Sequence, residues 1–308
     1  MSEPMTVDLS VKARVAAALG REAVTVERLP TSWGSETWRV ELVDGECFVA
    51  KFGPTASARK WFAALAGQRL AYDAGVPTSR VVYCDEGPGT DDRVLRIFTW
   101  LDGHDVSRLT GPDRVRLFTE LGRAIRRLHA IELPVFSSRL DGSAPGFARW
   151  DQYVEYRLPS VVERARIHNV LRASQLRSIE TEVLDMARVV GHAVRPTLCH
   201  RDLHPGNFLA HENGALSGVL DFDGAEAWDP AVDFVKLRWQ TLTDRTTETT
   251  FNNAYLAGEP WPAKWEERVR LAELLELTNA LANARADGHG DYEARVRERL
   301  QETLGRRG

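Results

Sequence analysis

The segment Leu198–Leu209, which reads LCHRDLHPGNFL, places an aspartate and an asparagine five positions apart between two apolar ends. The chain continues as AHENGALSGVLDFDG, in which Asn213-Gly214 is a strong signal for a two-residue hairpin turn. Asn207 and Asp221 each lie seven positions from Gly214, so an antiparallel pair folded about the turn brings them together. Their amide and carboxylate oxygens are hard ligands that suit Mg²⁺ carrying phosphates.

Two motifs in this region carry a family resemblance. His200-Arg201-Asp202 and Asn207 fit the phosphoryl-transfer pattern H-R-D-x-x-x-x-N, and the downstream D-F-G motif is replaced by the sequence DFDG from Asp221 onward. With HPGN inside the loop, this combination resembles the aminoglycoside phosphotransferase and choline kinase superfamily, whose members are protein-kinase-like small-molecule kinases. The resemblance implies that Asp202 is the catalytic base for an acceptor hydroxyl and that Asn207 and Asp221 hold a Mg²⁺ cofactor.

The same resemblance implies the fold class. It is α+β, a bilobal protein-kinase-like fold with a small, mostly-β N-lobe that has one main helix and a larger, mostly-α C-lobe. The sequence pattern agrees, because the apolar period changes from two to about 3.6 residues from Asp102-Gly103 onward. We therefore assign residues 1–101 to a nucleotide-binding N-lobe. Residues 102–308 form a helical C-lobe with the catalytic loop, the metal site and the substrate-binding helices.

Local patterns predict individual elements within these lobes. An Asp44-Gly45 turn predicts a hairpin, and a helix is expected from about 55 to 74. In the second lobe, one long helix ends near His129, and a helical stretch over 150–175 is expected to be broken or kinked at Pro159. Helices are also expected at 176–190 and through the last fifty residues.

The resemblance also implies a strand lysine that holds the α- and β-phosphates of ATP, and Phe48-Val49-Ala50-Lys51-Phe52 supplies it. A lysine inside an apolar strand is costly unless its charge has a partner, so Lys51 is rarely there by accident. By position, the loop before this strand contributes phosphate contacts and the segment after the last N-lobe strand contacts adenine. The residues expected to do so are Ser32, Gly34, Ser35, Phe98 and Trp100.

One part of the family pattern is absent. The family pairs its strand lysine with a glutamate on the next helix, but no acidic residue lies between Glu46 and Asp73. Gln68 lies on that helix and could hydrogen-bond Lys51, although a neutral amide cannot offset the charge. Three replacements for the missing carboxylate stay open, namely Asp221, the nucleotide itself, or none.

The acceptor is expected to contact the helical insert and the C-terminal helices, where carboxylates and aromatic rings would suit a cationic compound. The candidate residues are Asp151, Glu155, Glu226, Glu273 and Glu276, of which Glu226 is nearest to the metal loop. We expect an ATP-dependent phosphotransferase acting on a hydroxyl of a small molecule, foremost an aminoglycoside-like or other basic antibiotic, with resistance as the result. A metabolic kinase for choline, an amino alcohol or a sugar is the alternative, and a nucleotide-binding pseudokinase is another.

Two further residues have expected structural roles. Asp233 is expected to cap the backbone amides of the catalytic loop, and Arg201 is expected to be solvated or to brace that loop. The role expected for Asp233 is common, because aspartate side chains near loops often accept hydrogen bonds from backbone N–H groups.

Composition excludes several other classes. With 43% hydrophobic and 27% charged residues, the 308-residue chain is that of a globular protein. A net charge of −4 without a basic patch argues against a nucleic-acid partner. No apolar run reaches the ~18 residues of a membrane helix, and the first ten residues do not resemble a signal peptide, so we expect a cytoplasmic protein with no membrane partner, as a monomer or homodimer. Three widely spaced cysteines suggest neither a disulfide framework nor a zinc site.

Overall fold

The computed structural model describes residues 3–30, 35–85 and 93–306. It divides into two compact units, Met1–Leu117 with Gly206–Asp223 and Phe118–Pro205 with Gly224–Gly308. These units differ from the predicted lobes 1–101 and 102–308, because the hairpin that follows Asn207 pairs with residues 104 and 105 and so belongs to the first unit. Among the described residues, no helix combines the length and the apolar character needed to cross a bilayer.

Strands and helices are numbered in chain order. The strands are β1 (Ala23–Leu29), β2 (Glu36–Leu42), β3 (Cys47–Pro54), β4 (Val81–Cys84), β5 (Arg93–Thr99), β6 (His104–Asp105), β7 (Thr197–Cys199), β8 (Phe208–Ala210), β9 (Leu216–Val219) and β10 (Glu226–Trp228). The helices are α1 (Glu3–Leu19), α2 (Ala58–Asp73), α3 (Gly111–His129), α4 (Trp150–Ile167), α5 (Ala173–Val190), α6 (Asp233–Lys236), α7 (Arg245–Leu256), α8 (Trp265–Ala286) and α9 (Gly290–Gly305). The predicted α+β class is confirmed.

The first unit is built on a five-stranded antiparallel sheet in the order β1-β2-β3-β5-β4. The predicted Asp44-Gly45 turn joins β2 to β3, and Gly45 has the positive φ of +82° that such a turn requires. Alternate residues of β2, namely Trp38, Val40 and Leu42, are buried on one face, as the period-two pattern predicts. This sheet places Lys51 at the centre of β3, between β2 and β5.

Helices α1 and α2 complete this unit. Helix α2 is the predicted main helix, whereas α1 was not predicted from the sequence. Val11 and Val15 of α1 are fully buried and belong to one apolar cluster with Trp38 and Val40 of the sheet. Leu19, four residues beyond Val15, packs against the same cluster, so the face carries a regular apolar signal that the sequence prediction missed.

The predicted hairpin at Asn213-Gly214 is present as β8 and β9, and β6 extends it to a three-stranded sheet. Gly214 adopts φ +75°, and its backbone lies against the first turn of α3. The register pairs Phe208 with Val219, so the residues just outside this pair meet at the open end of the hairpin.

The second unit is mainly helical, as predicted, with one local difference. Helix α4 runs through Pro159 without a break and ends at Ile167, whereas a stretch broken or kinked at Pro159 and reaching 175 was predicted. Pro159 is exposed, and the buried face of the helix continues on both sides of it. Asn169 then takes a left-handed conformation with φ 50°, which ends the helix before α5 begins.

The turn at Gly214 supports the hairpin and can be tested by substitution. A Cβ at this position would come within 2.1 Å of the backbone oxygen of Asp113, whereas a Cβ at Gly45 would meet nothing within 4 Å. Both glycines have positive φ, so Gly45→Ala should cost only the conformational penalty of about 1 kcal/mol. Gly214→Ala should lower the free energy of unfolding by about 2–4 kcal/mol in urea denaturation, because overpacking adds to that penalty. Equal losses in the two variants would contradict the close contact.

Candidate active site

Lys51 has a carboxylate partner within the first unit. Its Nζ lies 3.2 Å from Oδ1 of Asp221, a residue 170 positions away in the chain. Gln68, the other partner considered for Lys51, is buried and donates its amide Nε2 to the backbone oxygen of Ser79 at 2.8 Å. Of the three replacements for the missing helix glutamate, the structure therefore has Asp221.

A second ion pair lies directly beside the first. Arg96 of β5 stands opposite Lys51 in the sheet register, and its guanidinium donates to both oxygens of Asp223 at 2.5 and 2.9 Å. Arg96 is fully buried, and its guanidinium lies 3.8 Å from the centroid of the Trp61 ring. Bidentate pairing and a cation–π contact are the interactions that best hold a buried guanidinium. Arg96 could have been found from the sequence, because it is a charged residue within the apolar run of β5.

Trp61 explains what occupies the helix face near this pair. On α2 it packs over Gly53 of β3 so closely that a Cβ built on the glycine would overlap the ring. Helix α2 therefore presents an aromatic face to Arg96, where the family pattern leads one to expect a carboxylate for Lys51. Asp223 and Asp221 take up the charge-balancing role, because they are the acids that meet the two basic residues.

Asn207 and Asp221 lie together at the open end of the hairpin, as predicted. The backbone N–H of Leu220 donates to the backbone oxygen of Asn207 at 2.8 Å, which closes the hairpin beyond its last strand pair. Asp221 has a left-handed φ of 65°, a conformation that costs a non-glycine residue free energy and is common at functional sites. An amide oxygen and a carboxylate form a hard donor set that fits Mg²⁺. Both oxygens of Asp223 accept from Arg96, so Asp223 balances the charge of that guanidinium.

Asp202, the predicted base, lies in the second unit and forms an ion pair that the sequence did not suggest. The Nζ of Lys236, at the end of α6, donates to Oδ1 of Asp202, and Nε2 of His204 lies 3.7 Å from Oδ2. Burial alone would raise the pKa of Asp202, but the positive charges of Lys236 and His204 outweigh it and hold the pKa below its ordinary value. The carboxylate is therefore ionised at neutral pH and can accept a hydrogen bond from a hydroxyl.

A buried aspartate fixes the backbone of the catalytic loop. Asp233 accepts hydrogen bonds from the backbone N–H groups of His200 at 2.9 Å and Arg201 at 2.5 Å, which confirms its predicted capping role. Its Oδ2 also lies 2.9 Å from Nε2 of His129. Burial would raise the pKa of Asp233, but the hydrogen bond and charge of His129 lower it on balance. These contacts hold Arg201 in a left-handed conformation with φ 67°.

Of the two roles predicted for Arg201, the structure supports bracing of the loop and not exposure to solvent. Its side chain is 9% exposed, contacts Oε1 of Glu226, and donates to Oε1 of Glu276 at 2.5 Å. The guanidinium also lies 4.2 Å from the centroid of the Trp228 ring. It braces the loop because a buried arginine needs counter-charges, and two carboxylates provide them.

Most of the predicted substrate carboxylates are paired with arginines of this chain. Asp151 accepts from Arg149 at 2.9 Å, and Glu226 contacts Arg201 and lies 3.7 Å from Arg157. Glu273 is buried and pairs with Arg299 at 2.6 Å and Arg306 at 3.3 Å, and Glu276 pairs with Arg201. Glu155 is exposed. Four of the five acids are therefore neutralised within the second unit.

The predicted nucleotide contacts are partly described. Phe98 is buried on β5 with the Nζ of Lys51 6.0 Å from its ring centroid. Trp100 follows β5, is half-buried, and donates its indole N–H to Oδ1 of Asp102 at 2.9 Å. Ser35 is half-buried and precedes β2. Ser32 and Gly34 lie outside the described residues.

Cys199 is buried beside the catalytic loop. It lies near His129 and Asp233, whose ligand atoms and its Sγ fall within 4.8 Å of one another. Burial raises the pKa of its thiol well above the ordinary value, so the sulfur is a poor metal ligand at neutral pH. Asp233 already accepts from two amides, so this group is a structural cluster.

The ion pair between Arg96 and Asp223 can be tested through the free energy of unfolding. Asp223→Asn leaves a fully buried guanidinium without its counter-charge, so the free energy of unfolding should fall by about 2–4 kcal/mol. As a matched control, Asp185→Asn breaks an exposed helix pair with Arg188 and should cost less than about 1 kcal/mol. Urea denaturation of both variants makes the comparison, and similar small losses would show that Asp223 is not a structural anchor.

The Asp233 cap predicts a pH-dependent stability. Asp233→Asn should lower the free energy of unfolding at pH 7 by about 2–4 kcal/mol, because the backbone amides lose a charged acceptor. The folded-state pKa of Asp233 lies below the ordinary value of 3.8, so its contribution is present above that pH and is lost as the pH falls through the folded pKa. The difference between the two proteins should therefore narrow below pH 4. A difference that stays constant from pH 7 to pH 3 would contradict an ionised cap.

A family model and one curated relative match this sequence. The model of the phosphotransferase enzyme family, APH, matches residues 25–268. The uncharacterized protein YcbJ of Bacillus subtilis (strain 168) is 36% identical over 75 residues, and this match covers 24% of each chain.

Solved structures share the fold. A candidate fructosamine-3-kinase from Thermobifida fusca YX-ER1 superposes with a TM-score of 0.74 at 23% identity, over 96% of this chain and 98% of that one. The aminoglycoside phosphotransferase APH(4)-Ia gives 0.70 at 16% identity over 97% and 99%, and APH(2")-IIia in complex with GDP and kanamycin gives 0.68 at 17% over 97% and 100%. The predicted kinase-like fold is thereby confirmed. Because the family model spans most of the sequence, including Lys51, Asp202 and Asp221, the chain belongs to the phosphotransferase enzyme family.

Proposed function

We propose that this protein transfers the γ-phosphoryl group of ATP to a hydroxyl group of a small molecule. The ion pair between Lys51 and Asp221, at 3.2 Å, is the observation that carries the proposal. It joins the strand lysine expected at the phosphates to the aspartate expected at the metal, two residues 170 positions apart. The pair therefore brings together, within the first unit, the two groups proposed to contact the phosphates and the metal.

Asp202 is the proposed base. As the acceptor oxygen bonds to the γ-phosphorus, the bond from that phosphorus to the β–γ bridging oxygen breaks, ADP leaves, and the hydroxyl proton passes to Asp202. The transition state of such a transfer is loose, so positioning the hydroxyl matters more than removing its proton early. The carboxylate suits this task because Lys236 and His204 keep it ionised.

Lys51 is proposed to hold the α- and β-phosphates, and Asn207 and Asp221 are proposed to hold Mg²⁺. When bound, Mg²⁺ neutralises the charge of the β- and γ-phosphates. The contribution of this chain is to present an amide oxygen and a carboxylate at one end of a hairpin whose register is fixed by its turn. Contacts to adenine and to the phosphates are proposed for the remaining candidates, namely Ser32, Gly34, Ser35, Phe98 and Trp100.

Two classes of acceptor are represented among the solved relatives. APH(4)-Ia has been solved with hygromycin B and APH(2")-IIia with kanamycin, whereas another relative is described as a candidate fructosamine-3-kinase. Phosphorylation of a basic antibiotic would confer resistance, and the acidic residues of the insert were the reason to predict it. The arginine pairs of Asp151, Glu226 and Glu276 weaken that reason and support a metabolite as the second candidate acceptor. Since ATP is the proposed donor, we place the protein in the cytoplasm. Its proposed oligomeric state is a monomer or a homodimer.

The roles of Asp202 and Asp221 make separable predictions. Asp202→Ala should lower kcat by about 10²–10⁴-fold without lowering the affinity for ATP. It removes the group that orients the acceptor hydroxyl and takes its proton. Asp221→Ala should instead abolish the Mg²⁺-dependent stabilisation by ATP in a thermal-shift assay, since it removes a metal ligand. Turnover is measured as ADP release with a panel of aminoglycosides, macrolides, cyclic basic peptides, choline, polyols and sugars.

The exposed Asp185 provides a matched control, and Asp185→Ala should leave both turnover and the thermal shift unchanged. Full turnover in Asp202→Ala would exclude it as the base. An unchanged ATP-dependent shift in Asp221→Ala would exclude it as a metal ligand. If ATP and Mg²⁺ bind but no acceptor in a broad panel is phosphorylated, the pseudokinase alternative replaces the proposal.

A further inference from the structure

Lys236 is an unexpected cation at the proposed base. It lies outside both catalytic motifs, at the end of α6, and its Nζ donates to Oδ1 of Asp202. The side chains of Lys236 and Asp202 are 27% and 31% exposed, so the pair is accessible to a ligand. The centroid of the Tyr292 ring lies 6.0 Å from the Lys236 Nζ.

This position limits the charge of the acceptor. A hydroxyl that bonds to the Asp202 carboxylate can bring the groups on its neighbouring carbons to about 5 Å from the Lys236 ammonium, by ordinary bond lengths and hydrogen-bond distances. Because Lys236 and His204 already balance the charge of Asp202, a positive group at that place loses hydration and gains no net attraction in return. A neutral group pays no such cost.

The surrounding carboxylates offer a cationic acceptor no unpaired negative charge, because each is already paired with a basic residue. Glu226 and Glu276 are both held by Arg201, which is 9% exposed and stacked on the Trp228 ring. With Arg157 close to Glu226 and Lys236 on Asp202, the cluster contains three acids and three bases. A cationic substrate would have to displace a buried arginine from its partners, which is costly because that charge would then be buried alone.

We propose that Lys236 determines acceptor specificity by balancing the charge of Asp202, and that the phosphorylated hydroxyl belongs to a compound that is neutral around that hydroxyl, such as a polyol or a sugar. This inference rests on the proposed function, since it takes Asp202 as the base. It differs from the expectation of a polycationic antibiotic. The same ion pair also fixes the orientation of the Asp202 carboxylate toward the acceptor.

Matched acceptors test the inference. Two series differ only in the charge beside a hydroxyl: glycerate, glycerol and 3-amino-1,2-propanediol, and gluconate, glucose and glucosamine, with kanamycin and hygromycin B added as polycations. We expect kcat/KM for the neutral members to exceed that for the amino members. In Lys236→Met this ratio should shrink about tenfold, because Asp202 is then left without its lysine and attracts the amino group. A ratio within one protein is unaffected by a general loss of activity, and thermal midpoints show that each variant is folded.

Two control variants separate charge at the site from other effects. Lys236→Arg keeps the charge and should preserve the ratio. Lys264→Met removes the charge of an exposed lysine whose Nζ donates to Val189 O, and it should leave the ratio unchanged.

The outcomes separate the inference from the proposed function. Phosphorylation of the amino members or polycations as fast as their neutral analogues would overturn the inference and confirm the kinase. A ratio that is the same in wild type and Lys236→Met would overturn the role of Lys236. Failure of every acceptor despite Mg²⁺-dependent ATP binding would overturn both.

Discussion

Two positive charges side by side in the sheet determine how the first unit is arranged. Lys51 and Arg96 face each other on β3 and β5, and like charges at opposed positions of a sheet repel unless each has an anion. Asp221 and Asp223 meet this requirement from one short segment that follows the hairpin. The segment that contains Asp221 and Asp223 is therefore held by its ion pairs with the sheet. These two pairs also stabilise the left-handed conformation of Asp221.

In the second unit, by contrast, a buried acid holds the backbone in place. Asp233 is buried and ionised, and it is stabilised by the amides of His200 and Arg201 together with His129. These bonds offset the free energy of about 1–3 kcal/mol that a left-handed residue such as Arg201 costs. The catalytic loop thus owes its shape to a residue more than thirty positions further along the chain.

Local patterns were enough to predict the motifs, and they were not enough to predict their partners. The hairpin at Asn213-Gly214 follows from turn chemistry, so the meeting of Asn207 and Asp221 could be predicted from spacing alone. The partners of Asp202 and Asp223 could not, because an ion pair between distant residues depends on the tertiary fold. For the same reason, the arginine partners of the carboxylates expected at the substrate could not be predicted from the sequence.

The close packing of Trp61 on Gly53 has a consequence for how such proteins diverge. A methyl group at position 53 would overlap the indole, so the glycine can change only after the tryptophan has changed. The tryptophan in turn covers the guanidinium of Arg96, so exchanging it for a glutamate would alter the surroundings of a buried charge at the same time. Positions 53, 61 and 96 should therefore vary as a set. A relative with a glycine, a tryptophan and an arginine at these places can be recognised from its sequence. In such a relative we expect the charge of the strand lysine to be balanced by the aspartate at position 221.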